Sequence, residues 1–148
     1  MLRRFLVIGL VALSIIAVAC SSGSDIEPAD SYGSLSTALD AARMKVEEQV
    51  GNNFLSAGLF SVPGIEMTAS GQDILAFEFS TVEEAAGQAA LVSPDGYGIG
   101  LKYVNWSGNP QYFLNGKMIV VNDGSQLLVT NTLISAMGAR FAGEKPGA

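Results

Sequence analysis

The side chains that most often carry chemistry in proteins are scarce in this sequence. Histidine is absent, and Cys20 is the only cysteine. Ser-His-Asp and Cys-His catalysis, and metal sites built from thiolates or imidazoles, therefore lack the residues they need. We expect no metal and no cofactor, and in particular no zinc, haem or iron–sulfur centre.

Carboxylates are the remaining candidates for acid–base chemistry. Glu47 and Glu48 are adjacent in the sequence, and neighbours on a helix or strand point in different directions. Glu83 and Glu84 are also adjacent, and they suit a helix start, where the helix dipole favours negative charge. An enzyme that uses carboxylates alone, a small hydrolase or transferase, is the alternative function for this chain. Its first residues to test are Glu66, Glu78 and Asp95.

A glycine-rich loop runs from Ser93 to Gly100, and it supplies a candidate loop site at Asp95, Gly96 and Gly98. A dinucleotide-binding loop needs a preceding strand, a following helix and a third glycine at the position that Leu101 occupies. This loop instead follows a predicted helix and precedes a predicted strand. Two roles stay open, a ligand loop and a purely conformational role for the glycines, and the pattern favours the second.

Aromatic residues are concentrated in the segment that contains and follows this loop. If residues 101–106 form a strand, Leu101 and Tyr103 share one face and Trp106 lies on the other, so only part of the set can be core. An exposed aromatic row would suit a protein or glycan partner, and the alternative is cross-strand packing within the domain. The predicted partner-binding residues are Tyr97, Tyr103, Trp106 and Tyr112.

The N-terminus has the pattern of an export signal. Arg3 and Arg4 precede an uncharged apolar run from Phe5 to Ala19. The run is shorter than the roughly 20 apolar residues that a membrane-spanning helix needs. Its end, Ala17-Val18-Ala19-Cys20, resembles the lipobox of bacterial lipoproteins, with Ala17 where Leu is usual. The resemblance implies cleavage before Cys20 and acylation of its thiol, and the alternative is an ordinary signal peptide that happens to end in Cys.

Acylation of Cys20 with fatty chains such as palmitate would determine where the protein resides. Two or more acyl chains give stable membrane anchoring. We therefore expect an exported protein on the outer face of the cytoplasmic membrane, or on the outer membrane of a cell that has two. Without residues 1–19 the chain keeps six basic and fourteen acidic residues, a net charge of −8. Such an acidic domain repels phosphate backbones, so no nucleic-acid partner is expected.

The composition along the chain predicts one globular domain. After the signal peptide, residues 1–19, residues 20–33 hold the lipidated cysteine and a small, polar, flexible tether. The globular domain covers residues 34–143, and residues 144–148 form a loose tail. The 129 residues after the signal are enough for one domain of ordinary size and too few for two.

Hydrophobic periodicity and turn residues predict the elements of this domain. A helix starts at Ser34 or Ser36, and a capping box at Ser80 or Thr81 starts an alanine-rich second helix that ends near Val92. Strands are expected at 44–50, 65–69, 73–79, 101–106, 112–114 and 117–122.

Two further signals complete the predicted architecture. Asn115-Gly116 joins the last two strands in a hairpin, and Met118 to Val121 is apolar on both faces and therefore central. A last helix contains Leu127, Leu128, Asn131, Leu133, Ile134 and Met137 and ends at Gly138. The order predicts an α+β fold in which two or three helices pack on one face of an antiparallel sheet of about four to six strands.

Several short segments carry a wider resemblance. They are Phe60-Ser61-Val62-Pro63-Gly64, Ile74 to Phe79, Leu91-Val92-Ser93-Pro94-Asp95-Gly96 and Phe141-Ala142-Gly143. With Cys20, they resemble a group of uncharacterised small bacterial envelope lipoproteins, over most of the mature chain. The resemblance implies an envelope location and one compact domain, and it implies no activity. The leading hypothesis is a non-enzymatic, lipid-anchored domain that binds a protein or cell-wall partner, and a passive spacer or accessory is a further alternative.

Overall fold

The computed structural model describes residues 26–49 and 56–143. The elements in these ranges are α1 (Tyr32–Ala41), β1 (Val46–Glu48), β2 (Ile65–Ala69), β3 (Gln72–Glu78), α2 (Val82–Ala89), β4 (Gly98–Ile99), β5 (Lys102–Tyr103), β6 (Pro110–Asn115), β7 (Met118–Asp123), α3 (Leu127–Met137) and β8 (Arg140–Gly143). The predicted α+β class is confirmed.

Six strands form one antiparallel sheet in the order β1-β2-β3-β7-β6-β8. At its centre β3 pairs with β7 from Asp73 opposite Asp123 to Glu78 opposite Met118. The hairpin of β6 and β7 turns at Gly116-Lys117, one residue later than the predicted Asn115-Gly116, because Asn115 pairs with Met118. Gly116 is the first central residue of the turn, and its φ of 53° is the positive value that a type II′ turn requires there. The strands β4 and β5 form a separate short hairpin.

Both faces of the sheet are covered, which corrects the prediction that the helices share one face. On one side, α1 and α3 pack on residues such as Ile74, Val120 and Phe113. On the other side, α2 and the segment from Val92 to Trp106 cover residues such as Leu75, Phe77 and Val121. Because β3 and β7 are apolar at successive positions, each face of their pair needs its own cover.

The domain begins earlier than predicted. Ile26 packs against the core beneath α1 and α3. Ala29 is buried, its N–H donates to Ala136 O (2.7 Å), and its carbonyl accepts from Asn115 Nδ2 (3.0 Å). The boundary at residue 34 is therefore too late, because residues 26–33 already pack on the domain. Ser31 caps α1, in place of the predicted Ser34 or Ser36, and Ser34 completes the capping box.

The second helix starts as predicted and ends sooner. The Thr81 hydroxyl accepts from the N–H of Glu84 (3.1 Å), and the Glu84 carboxylate accepts from the N–H of Ser80 (3.3 Å). The first bond satisfies an N–H group that a helix start leaves free, and the second ties Ser80, the residue before the cap, to the first turn. The helix ends at Ala89, before the predicted Val92, because Val92 forms an antiparallel bridge with Ile99.

Several of the apolar residues by which the last helix was predicted are exposed to solvent. Leu133 and Met137 are buried with Val129 and Ala136. Three other aliphatic side chains on the helix are exposed, at 63% for Leu127, 59% for Leu128 and 41% for Ile134. After α3 the chain forms β8, a strand that the sequence did not predict, which pairs with β6.

Candidate binding surface

The short hairpin of β4 and β5 carries the most exposed apolar side chains of the described chain. Leu101 at its tip has a relative exposure of 107%, and Tyr103 on β5 has 76%. Leu91, two residues after α2, is also exposed, and its carbonyl accepts from the N–H of Gly100 (2.8 Å). Tyr97 is half-buried beside them. We call these four residues, Leu91, Tyr97, Leu101 and Tyr103, the hairpin surface.

Local sequence explains why this hairpin forms. Ile99 pairs with Lys102, so Gly100 and Leu101 make a two-residue turn. Gly100 has a φ of +61°, and a positive φ at the first central residue is the feature of a type II′ turn, which favours glycine there. The predicted longer strand at 101–106 is therefore reduced to Lys102–Tyr103.

The hairpin is braced on the domain by contacts at several points. The Lys102 ammonium donates to the carbonyl of Gly58, and the N–H of Val104 donates to Tyr97 O (2.8 Å). The rings of Tyr97 and Tyr103 stack with centroids 6.1 Å apart, and Tyr97 Oη donates to Gly108 O (3.4 Å). Leu101 and Tyr103 are thus presented on a fixed support and not on a free loop.

Two of the four predicted partner-binding residues belong to the core. Trp106 and Tyr112 are both buried, and their rings meet edge to face at 6.2 Å. Trp106 Nε1 and Tyr112 Oη both donate to the carbonyl of Gly96, at 3.1 and 2.9 Å. Burial raises the pKa of Tyr112, which keeps its hydroxyl protonated as a donor. The prediction of a partner-binding role is wrong for these two residues, since both side chains are buried in the core of the domain.

The predicted loop site at Asp95, Gly96 and Gly98 is held by its own hydrogen bonds. Asp95 Oδ1 accepts from the Ser93 hydroxyl and from the N–H of Tyr97 (3.1 Å). The Ser93 hydroxyl bond, followed by the Tyr97 N–H bond, lowers the pKa of Asp95. Gly98 N–H donates to Ser93 Oγ (2.7 Å). The residues of this loop satisfy one another, as a conformational role requires.

Position 96 requires glycine for two reasons. Its φ is +81°, a value that side chains of L-residues rarely accept. A Cβ at this position would lie 3.0 Å from the Tyr112 ring, 3.1 Å from Gly143 Cα and 3.2 Å from Pro110 Cγ. The loop backbone therefore approaches β6 and β8 so closely at this position that a side chain would not fit.

The three carboxylates of the enzyme hypothesis do not converge. Glu66 is buried on β2 on the α2 side of the sheet, where its Oε1 accepts from the N–H of Ser56 (2.8 Å). Glu78 lies on β3 on the opposite face, because its position alternates with that of Phe77, and its Oε2 accepts from the N–H of Tyr32 (3.2 Å). Asp95 is in the loop after α2, next to Gly96, which lies against β6 and β8, and the strands β3 and β7 lie between these and the β2 strand that carries Glu66. The sheet thus separates Glu66 from Glu78.

Within residues 26–49 and 56–143, no three Asp or Glu side chains are grouped closely enough to hold a metal ion. No helix in these ranges has the length and apolar character needed to cross a membrane. Cys20, the predicted lipidation site, lies outside the described residues.

Leu101, Leu127, Leu128 and Ile134 are surface residues that the sequence did not assign to a site. The sequence could have indicated the exposure of Leu101, because this residue follows Gly100 where the predicted glycine-rich loop meets the predicted strand. Comparisons with protein-family models, with curated protein sequences and with solved structures each found no significant match to this chain.

Proposed function

We propose that the protein is a lipid-anchored, non-enzymatic component of the bacterial envelope that binds a protein partner through the hairpin surface. The observation that carries the proposal is the exposure of Leu101 and Tyr103 on a braced hairpin. Tyrosine is one of the residue types enriched among the anchors of protein interfaces, and Leu101 adds exposed apolar area on the same hairpin. The resemblance to small envelope lipoproteins remains a prediction that agrees with this role.

The shape of the hairpin supports recognition of a partner without large rearrangement. The Lys102–Gly58 contact and the stacking of Tyr97 on Tyr103 hold the hairpin before any partner arrives. Less conformational freedom is then lost on binding, so more of the contact energy appears as affinity. The segment from Ala85 to Gly108 contains one acid, Asp95, and one base, Lys102, so the strong negative charge of the chain is carried elsewhere.

The proposed lipid anchor is inferred from the sequence around Cys20. Replacing Cys20 by alanine should release the protein from membranes or leave an uncleaved precursor, because the thiol is the atom that would carry the acyl chain. Membrane fractionation and the mass of the product test this. A variant of mature size that stays in the membrane fraction as fully as the native chain would refute the anchor.

The partner is tested by cross-linking in membranes, extraction in mild detergent and mass spectrometry of the proteins that copurify. Leu101→Ser and Tyr103→Ser should each lose the copurifying protein, since each removes an exposed apolar anchor. Val82→Ser is the matched control, because Val82 is a similarly exposed aliphatic residue at the start of α2. A partner retained by both hairpin variants, or lost equally in the control, would refute the assignment of the surface. Retention on isolated peptidoglycan, abolished by Tyr103→Ser, would assign the surface to a cell-wall glycan instead.

A further inference from the structure

The exposed side of α3 is an uncharged, partly apolar face with no covering element among the described residues. Exposed positions along α3 follow the helical repeat and form one continuous stripe, while Val129, Leu133 and Met137 face the core. Residues 124–139 contain no charged side chain. We call the stripe, made of Leu127, Leu128, Asn131, Ile134 and Ser135, the outer face of α3.

We propose that the outer face of α3 is the surface with which the domain lies on the lipid bilayer. This inference rests on the lipid anchor at Cys20 proposed above, and it adds an orientation to that anchor.

The chain between the anchor and the domain is short. Ile26 already packs on the core shared by α1 and α3, so five residues separate it from Cys20. Six Cα–Cα steps of at most about 3.6 Å each keep Ile26 within about 20 Å of an acylated Cys20. Ala29 is joined to α3 by the bond from its N–H to Ala136 O (2.7 Å). The short connection thus reaches the membrane from the layer of α1 and α3.

Charge favours the same surface. Anionic headgroups repel acidic protein surfaces, and the chain that starts at Cys20 has a net charge of −8. The outer face of α3 carries no charge and is therefore free of this repulsion. Three of its side chains, Leu127, Leu128 and Ile134, are aliphatic and can enter the boundary between headgroups and acyl chains, as the apolar face of an interfacial helix does.

The orientation has a consequence for the hairpin surface. Tyr97 packs with the core on the other face of the sheet, together with α2. With α3 against the bilayer, the sheet lies between the membrane and the hairpin. Leu101 and Tyr103 then point away from the lipid, toward a partner in the surrounding compartment.

The test uses the full chain, expressed with its own signal, acylated in the cell and reconstituted into vesicles of phosphatidylethanolamine and phosphatidylglycerol. Asn131→Cys places an environment-sensitive fluorophore on the outer face of α3, and Val82→Cys places it on α2 as a matched control. An interfacial helix buries its apolar face about 5–10 Å into the headgroup boundary, so a doxyl-labelled lipid should quench the label at Asn131→Cys about threefold more than that at Val82→Cys.

A second variant separates orientation from anchoring. Leu127→Asn, Leu128→Asn and Ile134→Asn, combined with Asn131→Cys, should reduce the quenching to the control level while the protein still floats with the vesicles. All of these side chains are exposed, so the fold should survive, and the fluorescence of Trp106, the only tryptophan and a buried one, reports on it.

The outcomes that overturn the inference are distinct. Equal quenching at the two label positions in protein that floats would overturn the orientation and leave the anchor intact. Cross-linking of Asn131→Cys chains to each other at every protein-to-lipid ratio would assign the face to a second copy instead. A chain without added cysteine that takes up label at Cys20 and does not float would overturn both the anchor and the orientation.

Discussion

Gly96→Ala and Gly100→Ala form a matched pair that tests why the loop before the hairpin is rich in glycine. Both positions have a positive φ, of 81° and 61°. They differ in their surroundings, because a Cβ on Gly96 would lie 3.0 Å from the Tyr112 ring and 3.1 Å from Gly143 Cα, whereas no heavy atom lies within 4 Å of a Cβ on Gly100. The pair therefore separates backbone strain from steric conflict.

The magnitudes follow from these two terms. An L-residue in the left-handed region costs about 1–2 kcal/mol, and both variants incur that cost. An extra methyl group in a packed site costs about 1–3 kcal/mol, and only Gly96→Ala incurs it. We expect the free energy of unfolding to fall by about 1–2 kcal/mol in Gly100→Ala and by about 2–5 kcal/mol in Gly96→Ala. Alanine restricts the unfolded chain equally in both variants, so this effect cancels in the difference.

Equilibrium unfolding in urea, followed by the fluorescence of Trp106, measures both values. The indole is suited to the purpose because Trp106 is the only tryptophan, is buried, and donates from Nε1 to the carbonyl of Gly96 (3.1 Å). Equal losses of stability in the two variants would refute the steric reasoning. A smaller loss at Gly96 than at Gly100 would also contradict the close approach of the loop to β6 and β8.

Two further predictions concern buried polar contacts. Tyr112→Phe should lower the free energy of unfolding by about 1 kcal/mol, because it removes the hydroxyl bond to Gly96 O, which keeps a second donor. Because burial raises the pKa of Tyr112 above its ordinary value of 10, the folded state holds this proton more tightly than the unfolded state. The native chain should therefore lose stability as the pH rises above about 10, and an equally steep loss in Tyr112→Phe would contradict this. The N–H groups of Ser107 and Gly108 donate to the Asp123 carboxylate at 3.0 and 2.8 Å, and these bonds hold the turn before β6. Asp123→Asn should therefore lower the free energy of unfolding by about 1–2 kcal/mol and speed amide exchange at Ser107 and Gly108. Unchanged exchange at both amides would refute the role of Asp123 in holding this turn.

The centre of the sheet could be predicted because its sequence signals are local and agree. Asn115-Gly116 predicts a tight hairpin, which forms with its turn one residue later, at Gly116-Lys117. The apolar run from Met118 to Val121 predicts a strand buried on both faces, as observed. What the run does not reveal is which element covers each face. The pattern of α2, with small residues on one side, fits either face of a sheet, so its position depends on the connection that follows β3.

The face of α3 could not be read from its apolar residues, because they surround much of the helix. Thr130 and Thr132 are buried although they are polar. Thr130 Oγ1 donates to Gln111 Oε1 on β6 (3.2 Å), and Thr132 Oγ1 donates to the carbonyl of Leu128 within the helix (2.9 Å). A buried hydroxyl is tolerated when such a partner exists, and the partner of Thr130 is nineteen positions away in the sequence.

The candidate site was partly predictable for a similar reason. Tyr103 is exposed, as the binding hypothesis expects, but Lys102 beside it on β5 is exposed as well, so this strand shows no alternation of buried and exposed residues. Trp106 and Tyr112 are buried because one backbone carbonyl, that of Gly96, accepts from both side chains. The position of that carbonyl depends on a left-handed residue in a loop, and this tertiary detail leaves no periodic signal in the sequence.

The separation of the two faces by the sheet favours the binding hypothesis over the enzyme hypothesis. A two-carboxylate mechanism needs both groups within one cleft, and the alternation of strand residues places Glu66 and Glu78 on opposite faces. Asp95 is on the side of Glu66, but its loop lies against β6 and β8, with β3 and β7 between them and β2. The same separation suits a binding module held at a surface. The short connection to Cys20 leaves from the α1 and α3 layer, while Leu101 and Tyr103 belong to the opposite layer. Under the proposed anchoring, contact with the bilayer and contact with a partner would use different faces and would not compete.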